Sequence, residues 1–370
     1  MKNDIQPRVW LEVDLSAIQE NFHTIKEKVR NVKVMAVLKA NAYGLGVKEI
    51  AQALEEVGVS RFGVAELKEA LAIREFSKLP IQILGGILDS EIKLAIENNI
   101  ICPIGSVDIA KKISQVAEEL EKEARGHILI DTGMGRLGLV YDEKRIIKEI
   151  EEILNISNLR VEGIYTHYSI ANVPSNTHTN NQLKRFNSIL KEFPDTFKII
   201  HSANSDAINN FPNTYFNMVR TGINLYGVFD LKGRRIYSLK PTISFKSKII
   251  DIRKLKKDSP IGYGCEYILK EDTLVATICV GYADGVPLAM SNKGEVLIDG
   301  KRFPMIGRVS MDYITVDLGI DTSIKIGEDV VLIGKSGRYE ITVEDIARVK
   351  NTHPYDIICS ISNRVKRIYI

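Results

Sequence analysis

The most constraining feature of this sequence is a repeat of short apolar runs rich in Val and Ile, each followed by a longer segment with charges at helical spacing. Eight such runs precede residue 223: KVMAVLKA (33–40), RFGVA (61–65), IQILG (81–85), IICPI (100–104), HILIDT (127–132), VEGIYTH (161–167), KIIHSA (198–203) and FNMVRTG (216–222). Strands that are nearly all apolar are typical of a parallel sheet covered on both faces, and each parallel step needs a helical crossover. Eight strand–helix units therefore predict a (β/α)8 barrel rather than an open sheet.

After about residue 235 the pattern changes to alternating β segments such as TISFKSKIIDIRKL and TLVATICVGY. Only TVEDIARV, with Thr342 as a candidate N-cap, predicts a helix there. We therefore predict an α/β barrel domain over residues 10–235 and a mostly-β domain over residues 236–370. An early strand, VWLEVDL, precedes the barrel, and the N-terminal segment 1–14 is assigned to the second domain.

The composition is typical of a globular chain and disfavours nucleic-acid and membrane partners. Lys and Arg number 50 against 47 Asp and Glu, with no polybasic run, whereas a nucleic-acid protein clusters its basic residues. No apolar run approaches the roughly 18–20 residues of a membrane span, and no secretory signal pattern is present. The four cysteines are far apart, which predicts buried thiols in the cytoplasm rather than disulfides or a zinc site.

Polar side chains are concentrated where the eight runs end, and barrel enzymes place their active residues at these strand ends. They are Lys39, Asn41, Tyr43, Asp131, Arg136, His167, His201, Asn204, Ser205 and Arg220. Gly222 and Ile223, at the start of a predicted helix, would bind an anionic group such as a phosphate. No HxH or HxxxH pair is present, so we predict no metal.

Lys39 is the most informative of these residues because it ends an otherwise apolar strand, VMAVLK. There its amine would be partly desolvated, which favours the neutral form that Schiff-base chemistry needs. Taken alone, a lysine at a strand end more often extends its charge into solvent. His167 and His201, taken alone, also fit buried imidazoles with satisfied hydrogen bonds.

The segment VLKANAYGLG (37–46) resembles the cofactor-lysine signature of the alanine racemases, which are pyridoxal-phosphate enzymes built from a (β/α)8 barrel and a β domain. The resemblance continues in order along nearly the whole chain, through IDTGMGRLGL, VEGIYTHYSIA, HSANSDA, NMVRTGINLYG, PIGYGCEY, VGYADG, IGRVSMDYITVD and RVKRIY. It implies a cytosolic enzyme that interconverts L- and D-alanine with pyridoxal 5'-phosphate, the D isomer serving peptidoglycan synthesis.

The resemblance also implies a role for each matched residue. Lys39 would hold the cofactor and act as one acid/base catalyst, and Tyr263 of the partner subunit would act as the second on the opposite face. Arg220 would contact the pyridine nitrogen, His167 would hydrogen-bond Arg220, and Arg136 would contact the substrate carboxylate. The remaining residues are a phosphate set, Tyr43, Asn204, Ser205, Gly222, Ile223 and Tyr355, and a substrate set from the partner subunit, Met311, Asp312 and Tyr282. Such shared sites imply a homodimer.

Three positions depart from the commoner family pattern. Leu129 stands where many members carry a lysine that becomes carbamylated and orients the neighbouring arginine. Arg136 therefore needs a substitute partner, such as a chloride ion, an ordered water or another side chain. Leu45 replaces a common histidine, and Ser310 replaces a frequent cysteine.

Three other functions fit parts of the sequence. A small pocket closed by Tyr355, Tyr263 and Met311 favours alanine as substrate but rejects serine only weakly. A serine racemase, or a racemase of broader specificity, is therefore an alternative function. Amino-acid decarboxylases share a related plan but lack the tyrosine of PIGYGCEY. Small barrel-only homologues that bind the cofactor without catalysis lack the β domain.

Overall fold

The computed structural model describes residues 7–370, so the first six residues of the predicted N-terminal segment 1–14 lie outside the described residues. Contacts divide the chain into two compact units. The larger unit comprises residues 18–42 and 47–239, and the smaller unit comprises residues 7–17, 43–46 and 240–370. No helix within residues 7–370 combines the length and the apolar character that crossing a membrane requires.

Strands and helices alternate through the larger unit, whereas the smaller unit consists mostly of strands. The strands are β1 Val9–Val13, β2 Lys33–Val37, β3 Arg61–Val64, β4 Ile81–Ile83, β5 Cys102–Ile104, β6 Ala124–Asp131, β7 Leu139–Val140, β8 Leu159–Thr166, β9 Ile199–His201, β10 Met218–Thr221, β11 Ile243–Leu255, β12 Pro260–Ile261, β13 Tyr267–Ile268, β14 Thr273–Ile278, β15 Glu295–Ile298, β16 Lys301–Ile306, β17 Ile314–Asp317, β18 Asp329–Ser336, β19 Tyr339–Ile341 and β20 Lys366–Tyr369. The right-handed α-helices are Leu15–Val29, Val47–Glu56, Leu67–Arg74, Asp89–Glu97, Val107–Glu119, Arg145–Leu154, Thr177–Glu192, Ser205–Asn210, Val343–Lys350 and Pro354–Cys359. Short 3-10 helices span Pro212–Thr214, Ile223–Tyr226, Tyr263–Cys265 and Leu288–Met290.

The larger unit is a barrel of parallel strands in the order β4-β3-β2-β10-β9-β8-β6-β5. A parallel bridge between Gln82 and Ile101 joins the two ends of this order, and the amide of Ile83 donates to the carbonyl of Ile101 at 3.1 Å. Each of the eight predicted apolar runs overlaps one of these strands. The prediction of a (β/α)8 barrel is therefore confirmed.

The interior of the barrel carries polar as well as apolar side chains. Arg61, Gln82, His127 and His201 come from four different strands, and all four are buried. Gly163 on β8 leaves room for one of them, because a Cβ at this position would lie 2.8 Å from the imidazole of His127. The glycine is thus required by the close approach of a side chain.

The smaller unit is built on a sheet in the order β19-β18-β15-β16-β17-β14-β11-β1-β20. In it, β1 pairs antiparallel with β11 and parallel with β20. The helix predicted at TVEDIARV is observed at Val343–Lys350, where Thr342 Oγ1 accepts a hydrogen bond from the amide of Asp345 at 3.1 Å. A second helix, Pro354–Cys359, is not predicted by the pattern, because six residues are too few to show a helical period.

None of the four cysteines forms a disulfide. Cys102 and Cys279 are buried, and burial raises the pKa of Cys102 to about 12, which makes it a poor nucleophile. Cys265 and Cys359 are exposed. The prediction of buried thiols is wrong for these two, because both end short helices rather than lying inside a strand.

The space at Gly163 generates a prediction about stability. Gly163→Ala forces a Cβ against the ring of His127 and the carbonyl of Ile199, so we expect the free energy of unfolding to fall by about 1–3 kcal/mol. Urea denaturation measures this loss. Gly86→Ala is the matched control, because a Cβ there meets only Leu137, at 3.9 Å, and we expect a change within about 0.5 kcal/mol. Equal losses in the two variants would contradict the steric argument.

Candidate functional site

Arg220 lies at the centre of the polar residues that follow the barrel strands. It is 3% exposed. Its Nη1 donates to Nδ1 of His201 at 2.7 Å and to the carbonyl of the same residue at 3.1 Å. Its Nη2 donates to the carbonyls of Thr166 and Ser202, both at 2.9 Å, and to Nδ1 of His167 at 3.1 Å. Five neutral acceptors, and no carboxylate, thus hold a buried guanidinium.

The charges around Arg220 follow from this burial. Burial lowers the pKa of Arg220 to about 10, so it stays protonated at neutral pH. Burial also lowers the pKa of His201 and of His167 well below the ordinary value of 6.5, and the charge of Arg220 lowers both further. Both imidazoles are therefore neutral and present a lone pair to the arginine.

One donor of Arg220 is not used by these contacts. Within residues 7–370, no hydrogen bond from its Nε–H is observed, whereas both Nη groups are paired. The arrangement therefore fits a bound molecule that presents a neutral acceptor atom to Nε.

The loops after β9 and β10 bring together small and hydroxyl residues. Asn204 caps the helix Ser205–Asn210, its Oδ1 accepting from the amide of Ala207 at 2.9 Å. The amide of Gly222 donates to Oγ of Ser205 at 3.0 Å, and the 3-10 helix that begins at Ile223 follows at once. Hydroxyl groups and backbone amides at such a position suit the oxygens of an anion.

Lys39 follows β2 and begins a left-handed turn. Ala40, Asn41, Ala42 and Tyr43 have φ values of 53°, 54°, 53° and 61°. For each residue other than glycine, this conformation costs about 1–2 kcal/mol. A run of four such residues is a form of backbone strain that concentrates at functional sites.

Side chains from neighbouring segments hold the left-handed turn. The carboxylate of Glu69 accepts from the amide of Ala40 at 2.5 Å and from the amide of Ala65 at 2.7 Å. Oδ1 of Asn41 accepts from the amide of Val47 at 2.9 Å. These bonds fix the backbone at the position from which the side chain of Lys39 extends.

The side chain of Lys39 is exposed in the chain taken by itself. The expectation that its own strand desolvates the amine is therefore wrong. The physical reason is that β2 ends at Val37 and the buried run ends at Leu38, so Lys39 lies beyond the packed part of the strand. Its desolvation has to come from a bound molecule or from a partner.

The loop that carries Arg136 is organised by Asp131. The carboxylate of Asp131 accepts from the amides of Gly133 and Met134, both at 2.8 Å, and from that of Gly135 at 2.9 Å. Burial raises the pKa of Asp131, but the backbone amides outweigh this effect and the net pKa is lowered. The ionised carboxylate therefore fixes the turn that leads to Arg136.

Four of the predicted residues of the smaller unit lie in two separate loops. Tyr263 is at the tip of the hairpin formed by β12 and β13, between Gly262 and Gly264, whose φ values are 71° and 74°. It is 72% exposed. A cluster of buried residues anchors the base of this hairpin: Ile261, Leu269, Val275 and Ile306.

The second loop cluster of the smaller unit contains Tyr282, Met311 and Asp312. The amide of Tyr282 donates to the carbonyl of Ser310 at 3.0 Å, which places its backbone beside Met311. Arg364 Nη2 donates to Asp312 Oδ1 at 2.8 Å. Tyr282 and Met311 are both exposed, so two large apolar side chains face outward from the chain.

Tyr43 and Tyr355, two further predicted residues, also belong to the smaller unit. Their ring centroids are 6.0 Å apart, with an angle of 38° between the planes. Tyr43 is buried, and Tyr355 follows the proline that starts the helix Pro354–Cys359. Tyr43, the last residue of the left-handed turn, therefore lies beside a second tyrosine.

Several buried polar residues around the barrel site were not predicted. They are Arg61, Gln82, His127 and Gln182. Nε2 of Gln182 donates to the carbonyl of His167 at 3.0 Å and so fixes the backbone of that residue. Arg61, Gln82 and His127 lie within the apolar runs themselves, and this interruption is the signal that could have found them. In the described part of the chain, no group of three or more His, Cys, Asp or Glu residues is arranged to hold a metal ion.

Both units of the chain match models of known protein families. The family model "Alanine racemase, N-terminal domain" matches residues 13–230, and "Alanine racemase, C-terminal domain" matches residues 242–369. The chain belongs to the alanine racemase family. A relative named alanine racemase, from Desulforamulus reducens, is 38% identical over 98% of this chain and 99% of its own length. The match therefore extends along the full chain, as the resemblance in its motifs implies.

Solved structures of alanine racemases share this fold. The enzyme from Clostridium difficile 630 superposes with a TM-score of 0.92 at 34% identity, covering 99% of this chain and 97% of that chain. The alanine racemase from Bartonella henselae with covalently bound pyridoxal phosphate superposes with a TM-score of 0.90 at 32% identity, covering 98% of this chain and 100% of that chain. Both units of the present chain are thus represented in these structures.

Within the alanine racemase family, Leu129 is the departure with the clearest structural consequence. Its side chain is 6% exposed and apolar. Arg136 is exposed, and no side chain in the range 7–370 forms a hydrogen bond or ion pair with its guanidinium. Of the three substitutes expected for the modified lysine, another side chain of the same chain is therefore not observed.

The hydrogen bonds to Asp131 generate a prediction about pH dependence. Because the folded pKa of Asp131 is lowered, its carboxylate stabilises the fold above its unfolded pKa of about 3.9. This contribution is lost as the pH falls through the lower folded value. We expect Asp131→Asn to be less stable than wild type at pH 7 and the gap to narrow below about pH 4. Denaturation at several pH values measures the gap, with the exposed Asp321→Asn as control; a gap independent of pH would contradict the assignment.

Proposed function

We propose that this chain is a pyridoxal-phosphate-dependent alanine racemase that interconverts L- and D-alanine by a two-base mechanism. Lys39 and Tyr263 of the partner subunit are the two bases. The observation that carries the proposal is the buried Arg220, whose Nη groups are saturated and whose Nε–H is left for a ligand. Family membership along the whole chain supports the same conclusion.

The residues present fit pyridoxal 5'-phosphate. Its conjugated ring, when bound, withdraws electrons from the substrate Cα and makes the Cα proton removable. Arg220 would donate from Nε to the pyridine nitrogen and, because arginine stays protonated, would leave that nitrogen without a proton of its own. Arg220 would thereby favour return of the proton to Cα, and hence racemisation over transamination. His167 holds Arg220 in place through its 3.1 Å hydrogen bond.

The phosphate of the cofactor is held by hydroxyl groups and backbone amides in this proposal. The set comprises Tyr43, Asn204, Ser205, Gly222, Ile223 and Tyr355. The contact between the amide of Gly222 and Oγ of Ser205 supports it, because this contact brings the two barrel loops together. The 6.0 Å separation of the two tyrosine rings supports their joint use.

Proton transfer at the substrate Cα needs one base on each face. Lys39 extends its amine from the end of a barrel strand, on a backbone that Glu69 holds. Tyr263 of the partner subunit provides the phenol on the other face. Its 72% exposure in the chain taken by itself supports this assignment, because the hairpin presents the side chain outward. One base removes the proton and the other returns one from the opposite side, which inverts the configuration.

The substrate carboxylate is bound by Arg136, whose exposed guanidinium is not engaged by any side chain within residues 7–370. The walls of the pocket are formed by residues of the partner subunit: Met311, Asp312 and Tyr282. Exposed aromatic and methionine side chains are typical of protein interfaces. We therefore propose an obligate homodimer with two shared sites.

We propose that the enzyme has two domains. The barrel that binds the cofactor spans residues 10–235, and the β-rich domain spans residues 236–370 together with segment 1–14. The contact-based division near residue 240 supports this boundary. The enzyme acts in the cytoplasm and supplies D-alanine for peptidoglycan.

The assignment of Tyr263 is tested by removing its hydroxyl. Tyr263→Phe should retain the cofactor but lose about 100-fold or more in kcat in both directions, because an acid/base group contributes about 10²–10⁴-fold. Racemisation of L- and D-alanine and visible absorbance of the bound cofactor measure the two effects. Tyr267→Phe, four residues away in the same hairpin, should stay close to wild type. Near-normal activity in Tyr263→Phe would contradict the two-base assignment.

Sharing of sites between subunits is tested with a hybrid dimer. Lys39→Ala and Tyr263→Phe chains, coexpressed with different tags and purified through both, should form a dimer with one intact site and one doubly substituted site. We expect about half of the wild-type activity from this hybrid, whereas each parent variant is inactive. A hybrid no more active than its parents would show that each site is built from a single chain.

A further inference from the structure

A line of four side chains crosses the interior of the barrel from Arg220 to Arg61. Nη1 of Arg220 lies 2.7 Å from Nδ1 of His201. Nε2 of His201 lies 3.1 Å from Nδ1 of His127. Nε2 of His127 lies 3.4 Å from Nη1 of Arg61. All four side chains are buried.

The protonation of the two imidazoles in this line is restricted by burial. Burial lowers the pKa of His127 well below 6.5, and the charges of Arg61 and Arg125 lower it further. The pKa of His201 is lowered in the same way by burial and then by Arg220. Each imidazole is thus neutral, with one N–H donor and one lone-pair acceptor.

The line cannot satisfy all three of its contacts at once. Arg220 and Arg61 stand at its two ends, and a guanidinium only donates. If His201 accepts from Arg220 at Nδ1, its proton is on Nε2 and is donated to Nδ1 of His127. The proton of His127 is then on its Nε2, where it faces a second donor, Arg61. If Arg61 is satisfied instead, either Arg220 faces a donor or, with both arginines satisfied, the N–H groups of the two imidazoles face each other.

Distance decides among the three arrangements, because the 3.1 Å contact between the two imidazoles is also shorter than the contact between His127 and Arg61. The Arg220–His201 contact of 2.7 Å is a short hydrogen bond, whereas the His127–Arg61 contact of 3.4 Å is at the outer limit of hydrogen-bond distance. Arg61 also has electrostatic compensation from Glu162, which raises its pKa against the effect of burial. The unsatisfied contact therefore falls at Arg61.

We propose that Arg220 fixes both imidazoles as Nε2–H tautomers and that His127 is a positioning residue for this arrangement. His127 presents a lone pair at Nδ1 and so holds the proton of His201 on Nε2. The lone pair at Nδ1 of His201 then stays available to Arg220. The inference rests on the proposed function, because it concerns how Arg220 is held with Nε toward the cofactor.

Gln82 takes part in the same arrangement. Its amide nitrogen lies 3.4 Å from Nε2 of His201, while its Oε1 is buried with no hydrogen-bond partner. If Nε2 of His201 carries a proton, that contact joins two donors. Rotation of the amide by 180° turns Oε1 toward His201, so that the proton on Nε2 of His201 is shared between Nδ1 of His127 and Oε1 of Gln82. Gln82 is therefore expected to present its oxygen to His201.

The native protein provides the direct test. Neutron diffraction from crystals of fully deuterated holoenzyme locates deuterium on ring nitrogens and distinguishes amide oxygen from amide nitrogen. The proposal predicts deuterium on Nε2, and none on Nδ1, of both His201 and His127. Deuterium on Nδ1 of either ring would overturn it. This measurement is independent of racemase activity. An inactive protein with the expected deuterium positions would therefore contradict the proposed function but not the proposed tautomers.

Variants of His127 test its positioning role. His127→Phe removes the lone pair, and we expect His201 to populate both tautomers and kcat to fall roughly tenfold with KM for alanine unchanged. His127→Asn can place an oxygen where Nδ1 lies and should recover most of kcat and the single tautomer. Nitrogen NMR of histidine-labelled protein reports the tautomers, and six histidines keep the spectrum simple.

The exposed His23→Phe is the matched control and should change neither the His201 signals nor kcat. A single Nε2–H tautomer of His201 in folded His127→Phe would overturn the role of His127. If His127→Phe does not fold, the deuterium positions in the native protein and the spectrum of His127→Asn still decide the proposal.

Discussion

The barrel site depends on one interaction, the binding of a buried guanidinium by neutral acceptors. Arg220 keeps its charge without a carboxylate partner because five lone pairs from the barrel strands and their loops converge on it. A carboxylate would stabilise the charge more strongly, but it would also attract a proton to a ligand nitrogen beside it. Carbonyls and neutral imidazoles hold the arginine without neutralising its positive charge. Its electrostatic field therefore still acts on a bound molecule.

The two units contribute different kinds of residue to the proposed enzyme. Around Arg220 and Ser205, side chains are buried and paired within the barrel, so this part of the site is organised by the fold of one chain. In the smaller unit, Tyr263, Tyr282 and Met311 are held by ordered loops but remain exposed. The division is consistent with the proposal that one subunit binds the cofactor and the partner subunit closes the pocket.

How much of the structure the sequence predicts depends on how many residues each sequence pattern covers. The eight barrel strands were predicted because β-branched runs separated by helical periods are long enough to recognise. The left-handed turn that starts at Ala40 was not, since alanine gives no local sign of a positive φ and the turn is imposed by tertiary bonds from Glu69. Lys39 was placed correctly at a strand end, but its exposure shows that position along a strand does not determine burial. His127 and Gln82 were hidden inside runs that were interpreted as apolar.

The central claim is that the barrel holds Arg220 in its working position before any ligand is bound. Crystal structures of the protein with and without pyridoxal phosphate test it most directly. The account predicts that all five hydrogen bonds of the guanidinium are the same in both structures and that Nε lies within hydrogen-bond distance of the pyridine nitrogen in the complex. An arginine that turns away from His201 without the cofactor, or one whose Nε does not reach the ring nitrogen with it, would contradict the account.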